Sequence, residues 1–262
     1  MLDNIVLGLV EGITEFLPIS STGHLLVAEH LLGSQKSDAF NVLIQVGPIF
    51  AAIVVFWKHI VDLATGLGDP EKRDEVIKLG ASFILTGIGG LTMKKLGLKL
   101  PETVLPIALA TFIGGLLILW VEKKSGKATT TRIGWNVAIA VAGAQLLAAG
   151  FPGTSRSGAA VMMALAFGLA RPEAVRFAFL VGIPTMLAAG GKQILDAVKA
   201  GQSAELTASG TLVAFAVATL SAFLAVKWLL KFVQTRNFVP FAWYRLAMGA
   251  ALLLSWGLGW MK

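Results

Sequence analysis

Glu11 and Glu15 stand four residues apart in a run that is otherwise almost wholly apolar. On a helix their carboxylates share one face, about one turn apart. In a low dielectric two such groups repel unless one is protonated or a cation lies between them. The pair therefore points to a shared divalent metal, or to one metal-binding carboxylate beside a general base; the alternative is a structural network capped by nearby hydroxyls. Pro18 stops the helix, and Ser20-Ser21-Thr22 stands where the next one starts. Ser and Thr are good helix caps, which gives Ser20 a structural reading beside a binding one. Ser21 and His24 are three apart on the new helix and can face one point. A hydroxyl beside an imidazole or carboxylate is the minimal activated nucleophile.

A second polar cluster resembles the first. A shift of 134 positions puts Glu11 on Gln145, Pro18 on Pro152, Ser20 on Thr154 and Ser21 on Ser155. Pro152-Gly153 reads as a tight turn, after which Thr154-Ser155-Arg156-Ser157-Gly158 opens a helix. Amides at a helix start, with the helix dipole, form an anion site. Arg156 adds a planar, permanently charged fork suited to phosphate oxygens, or else serves as counter-ion to Glu11 or Glu15. Ser20, Thr22, Thr154, Ser155, Ser157 and Gln145 make up the candidate substrate-binding set. Arg245 and Gln45 also lie in apolar segments and are candidates for lining the same cavity. An acidic half facing a cationic, hydroxyl-rich half suits a phosphorylated ligand, metal-bridged on one side and clamped by arginine on the other. Ionisable groups at membrane depth are functional by default, and a site inside the bilayer implies a ligand whose other end is lipid.

The elements that carry these residues are membrane helices. The 262 residues are 56% hydrophobic and only 14% charged, with mean hydropathy +0.77, whereas soluble domains carry roughly 25% charged residues. Apolar runs at 39–57, 76–93, 103–121, 177–198, 208–230 and 239–261 are each about long enough to cross ~30 Å of hydrocarbon. The stretches 4–17, 22–33 and 157–170 are too short and 135–151 is marginal. Each of these two pairs is broken by Pro and a Ser/Thr cluster, which reads as a re-entrant hairpin, tolerated where protein or a watery cavity satisfies the backbone. The expectation is an all-α polytopic membrane protein, one integral domain over 1–262, with about six transmembrane helices and two re-entrant hairpins. Val46-Gly47 echoes Val181-Gly182 at an offset of 135, and the segment ending at Trp120 echoes that ending at Trp256 at 136. One hairpin and three spans per half predict inverted-topology repeats over approximately 1–125 and 132–262.

The N-terminal segment lacks a basic region and a small-residue cleavage site, so it does not read as a cleaved signal. With no cysteine in the chain, disulfides, thiolate catalysis and Cys-ligated metals are excluded. The net charge of +7 reads as the positive-inside rule and not as a nucleic-acid surface. With both hairpins re-entrant, the connections 58–78, 122–134, 171–176 and 227–237, Lys127 included, hold about thirteen Lys and Arg. The other side, with Lys36, Lys94, Lys95, Lys99, Lys192, Lys199 and Lys262, holds about seven. The first side is therefore expected in the cytoplasm. Small-residue runs such as Gly87-Ile-Gly89-Gly90 suit close helix packing and are compatible with a homodimer.

The runs E-G-I-T-E-F-L-P-I-S-S-T-G-H at 11–24 and P-G-T-S-R-S-G at 152–158 resemble the undecaprenyl-diphosphatase family of the bacitracin-resistance type. The resemblance implies a multi-pass phosphatase of the bacterial plasma membrane that hydrolyses undecaprenyl diphosphate to the monophosphate and phosphate. That reaction recycles the lipid carrier for cell-wall synthesis and confers bacitracin resistance. It implies a divalent cation, Mg2+ or Ca2+, on Glu11 and Glu15. It also implies a nucleophile or its neighbour at Ser21, an essential histidine at His24 and a phosphate-binding Arg156. Two routes fit these residues equally: Ser21 attacks the terminal phosphorus with Glu15 or His24 accepting its proton, or water attacks with His24 as general base and Ser21 as a positioning group. A polyprenyl diphosphate and membrane lipids are the implied partners. The chain departs from the family pattern at Ala160, where threonine is common, and at Ala178, where serine is common. The alternative function is a transporter that flips an anionic polyprenyl phosphate.

Overall fold

The computed structural model describes residues 1–98, 100–125 and 129–261. Lys99, Lys127 and Lys262, counted in the charge asymmetry above, lie outside the described residues. The helices are α1 (Leu2–Thr14), α2 (Ser21–Leu32), α3 (Asp38–Thr65), α4 (Pro70–Lys95), α5 (Val104–Ser125) and α6 (Trp135–Gly150). They continue with α7 (Arg156–Ala166), α8 (Arg171–Lys199), the one-turn α9 (Ser203–Leu206), α10 (Ser209–Phe232) and α11 (Val239–Gly257). Their starts follow local chemistry. The Ser37 hydroxyl accepts the Phe40 amide at 3.1 Å, the Asp69 carboxylate accepts the Glu71 amide at 2.9 Å, and Pro70 opens α4. Gly33 closes α2 in the left-handed conformation, φ +58°.

Five helices, α3, α4, α5, α8 and α10, are long and apolar enough to cross a membrane, so the chain is a polytopic helical membrane protein. The sixth expected span is α11, 19 residues long. It falls short of the other five because Trp243, Tyr244 and Arg245 interrupt its apolar run. Much of the outer surface is apolar. Along its most apolar stretch α4 is only 11% buried, with Ile84, Ile88 and Leu91 facing outward. Such a helix suits lipid contact.

Hydrogen bonds sort the connections to the two ends of the bundle. At one end the Lys78 ammonium donates to the Ile133 carbonyl at 2.7 Å, and Arg171 pairs with Glu122 at 2.5 Å. Glu122 also accepts the Phe238 amide at 2.8 Å, while His59, Glu75, Glu173 and Arg176 form a further network. At the other end Ser37 meets Glu205, and Asn41 donates to Glu29 at 3.2 Å. α2 finishes at this second end. α6 starts at the first, beside Ile133, where Leu165 near the close of α7 accepts the Ser125 hydroxyl at 3.1 Å. The pairs α1–α2 and α6–α7 thus run in from opposite ends.

α1 packs on α10 and α3, α2 and α7 pack on α5, and α11 covers α5. Close approach sets these seams: a Cβ at Gly8 or Gly12 would strike the carbonyls of Ala214 or Ala218. Behind the first turn, Phe16 packs on Phe179 of α8 with ring centroids 4.7 Å apart. Pro48 and Pro184 lie inside α3 and α8. Beside Pro184, the Thr185 hydroxyl bonds the carbonyls of Val181 and Gly182 at 3.0 and 2.9 Å.

Candidate active site

Ser20 and Ser155 are the only described non-glycine residues with positive φ, at +75° and +66°. Each caps the helix that follows, Ser20 taking the Gly23 amide at 3.3 Å and Ser155 the Gly158 amide at 3.2 Å. A side chain in this backbone region costs about 1–3 kcal/mol and persists only when its surroundings enforce it. The two caps are 135 positions apart, which corrects the alignment of 134 drawn through the prolines. The second turn has one more residue between proline and cap, so Ser21 corresponds to Arg156 and not to Ser155. Gly153 makes the extra step feasible: its φ is +91°, and a Cβ there would lie 2.6 Å from the Ile107 carbonyl oxygen.

The two turns touch. The Ser157 hydroxyl donates to the carbonyls of Glu15 and Leu17 at 3.0 and 3.3 Å, and Ser155 reaches Leu17 O at 3.4 Å. Arg245 is 1% exposed and clamps both turns from α11. Its guanidinium donates to the carbonyls of Pro18 (3.3 Å), Gly153 (3.1 Å), Thr154 (3.2 Å), Thr111 (3.1 Å) and Ala110 (3.0 Å). The expectation that Arg245 lines the ligand cavity is therefore corrected: its donors are spent on backbone. Polar carbonyls freed by the two breaks give a buried guanidinium the partners it requires.

Around this junction the Ser21 hydroxyl donates to the Glu15 carboxylate. Arg156 lies within electrostatic reach of both Glu15 and Glu11. Glu15, Gln145, Arg156 and Ser157 share the wall of a small cavity with Ala160 and Ala178. Its volume of about 10 Å³ is room for no more than about one water. Glu11 is fully buried, both its oxygens lack a donor, and the group beside it is the Glu15 carboxylate. The Gln145 carbonyl accepts the Thr185 hydroxyl at 3.0 Å, while its buried amide nitrogen has no partner.

Other expected site groups are engaged elsewhere. His24 does not bond Ser21; its Nδ1 lies 2.7 Å from the Ser20 carbonyl and its Nε2 2.6 Å from the Tyr244 hydroxyl. Thr154 folds back on the Phe151 carbonyl at 2.7 Å. Thr22 faces a separate open cavity of about 910 Å³, whose wall also carries Glu29, Asn41, Gln45 and Gln193. Gln45 thus belongs to this outer cavity and not to the small one beside Arg156. Tyr244 and Thr185 were missed in the sequence; the one signal was that Tyr244 is the chain's single tyrosine, set beside Arg245 in an apolar run.

Crossing helices and an acid–hydroxyl–guanidinium centre where two turns meet define a multi-pass membrane protein with a polar site at its middle. The chain belongs to the family described as bacitracin resistance protein BacA, which it matches over residues 4–251. It is 49% identical over 250 residues to an undecaprenyl-diphosphatase of Rhizobium etli (strain CIAT 652), covering 95% of this chain and 94% of that one. It is 47% identical over 256 residues to an undecaprenyl-diphosphatase of Xanthomonas campestris pv. campestris (strain 8004), covering 97% of each.

Proposed function

We propose that this protein is an undecaprenyl-diphosphatase. It removes the terminal phosphate of undecaprenyl diphosphate within the bacterial plasma membrane and so confers bacitracin resistance. The observation that carries the reading at this chain's own residues is the Ser21 hydroxyl bonded to Glu15, with Arg156 lining the same small cavity as Glu15. A nucleophile, a base that takes its proton and a fixed cation opposite are the parts phosphoryl transfer requires. Ser21 Oγ attacks the terminal phosphorus as its proton passes to Glu15, and the bridging oxygen leaves with the lipid monophosphate. Water then releases phosphate from the serine. Arg156, with the first amides of α7, which have no intrahelical acceptor, neutralises the charge that gathers on the phosphoryl oxygens. The small cavity cannot hold a phosphate, so the head group reaches Ser21 from the side of the 910 Å³ cavity, on whose wall Thr22 follows Ser21. A flippase has no use for the Ser21–Glu15 pair, which favours hydrolysis over carriage.

Glu11 and Glu15 fit a divalent cation, Mg2+ or Ca2+. Two hard carboxylates face each other in a buried place, and Glu11 has no donor of its own. Among the described residues no third acidic or histidine side chain joins them, so substrate oxygens and water would complete the shell. The cation supplies charge neutralisation at the diphosphate when bound.

The helix pairs α1–α2 and α6–α7 are re-entrant hairpins, and the halves 1–125 and 132–262 are inverted repeats with α11 as the sixth span. Three observations support this: matching serine caps at an offset of 135, approach from opposite ends, and interior prolines at 48 and 184. At 13 residues, α1 spans only about 20 Å, short of ~30 Å of hydrocarbon.

Phosphate release from undecaprenyl diphosphate by the purified protein tests the reading. Glu15→Gln and Arg156→Ala are each expected to lose activity about 10²-fold or more with the fold intact. No release by the unsubstituted protein in Mg2+ or Ca2+ overturns it in favour of transport.

A further inference from the structure

The first helix cap is clasped by a side chain, and the second is not. Ser20's carbonyl accepts both the backbone amide of His24, at 3.3 Å, and the His24 ring at Nδ1, at 2.7 Å. At the matching place in the second turn stands Ala159, whose amide alone meets the Ser155 carbonyl. A carbonyl can only accept, so Nδ1 carries the proton. The neutral ring then offers its one lone pair at Nε2, where the Tyr244 hydroxyl donates at 2.6 Å. The two rings stack with centroids 5.5 Å apart and planes 5° from parallel. Both nitrogens are thereby in use, and neither is turned to Ser21. Arg245, which clamps the turns, stands beside Tyr244 on α11 and lies within electrostatic reach of the imidazole.

From this geometry we infer that His24 is a positioning residue for the reaction and not its proton acceptor, and that Tyr244 positions it. The chain of bonds Tyr244–His24–Ser20 ties α11 to the strained cap, and the cap aims the next residue, Ser21, at Glu15. The asymmetry between the turns follows. The clasped cap precedes the side chain that must be held to hydrogen-bond accuracy, whereas the unclasped cap precedes Arg156, whose charge acts over a longer range. The inference rests on the diphosphatase reading, with Ser21 as the group to be aimed.

The test uses the full chain in detergent or liposomes, with Tyr244→Phe, His24→Asn and the double variant. Steady-state release from undecaprenyl diphosphate is measured across pH, beside nitrogen-15 spectra of labelled histidine. With three histidines in the chain, the His24 signal is assigned by its loss in His24→Asn. Tyr244→Phe keeps the stacked ring and loses one solvent-exposed hydrogen bond, so kcat falls about two- to tenfold at nearly constant KM. The pH profile keeps its shape in every variant, and the double variant is no worse than His24→Asn alone, because one strut carries both effects. The spectra show the Nδ1–H tautomer, its Nε2 signal moving in Tyr244→Phe. An unaffected Tyr244→Phe, a pH limb abolished by His24→Asn, or an Nε2–H tautomer overturns the inference. If the unsubstituted protein releases no phosphate, the diphosphatase reading fails instead, while the spectra still decide whether the strut exists.

Discussion

A serine hydroxyl in an apolar interior has few partners for its proton, and Ser21 has Glu15. The route through a phosphoserine makes a direct claim: Ser21→Ala lowers kcat by about 10³-fold or more. Rapid quenching of the unsubstituted protein with substrate labelled in its terminal phosphate traps the label on Ser21. Absence of label in a turning-over sample would leave water as the attacking group and Ser21 as its guide. Glu15, Ser21 and Arg156 were legible in the sequence because their types are rare in oil and their spacing is helical. His24 was only half legible. Its neighbour Ser21 was visible three residues away, but its actual partner, Tyr244, lies 220 positions along, beyond any spacing argument. Ala160 and Ala178, where the resemblance led to the expectation of hydroxyls, both line Arg156's cavity. There they present methyl groups beside the polar side chains of Glu15, Gln145 and Ser157.

At the scale of elements, α11 holds the two broken helix pairs together through Arg245. Five carbonyls converge on one guanidinium, and three of them, at Pro18, Gly153 and Thr154, belong to the turns. Arg245→Met removes the donors, and each buried acceptor left unmade costs about 1–3 kcal/mol. A destabilisation of at least ~3 kcal/mol is expected, read as a clear drop in melting temperature in detergent. Arg245→Lys, with a single ammonium that cannot span five acceptors, recovers part of it. A melting temperature unchanged in Arg245→Met would show that the turns hold without the clamp. Sequence reading offered Arg245 only as a candidate for lining the ligand cavity, because a lone charge in an apolar run looks functional. It could not see that two helix breaks, far apart in the chain, would leave unspent carbonyls at the same spot. The repeat offset failed locally for a related reason: prolines are conspicuous letters, but the cap serines set the register.

The whole molecule was the most legible level, since apolar runs of crossing length need no knowledge of contacts, and five became long apolar helices. α11 was the exception, its apolar run interrupted by Arg245, which clamps the turns, and by Trp243 and Tyr244 beside it. What the runs leave open is which end of the bundle faces the cytoplasm, and the ends differ in charge. The end tied by Lys78, Arg171 and Arg176 carries most of the basic connections and is expected inside. The 910 Å³ cavity beside Glu29, Asn41 and Gln193 then opens outward. The absence of native cysteine makes this directly measurable with single-cysteine variants at exposed sites. Ser203→Cys, at the cavity end, is expected to react with a membrane-impermeant maleimide on intact cells. Glu71→Cys, in the first turn of α4 at the basic end, is expected to react only after the membrane is opened. The opposite pattern would put the cavity mouth and the Ser21 turn in reach of the cytoplasm, and the diphosphate would have to be drawn from the inner leaflet.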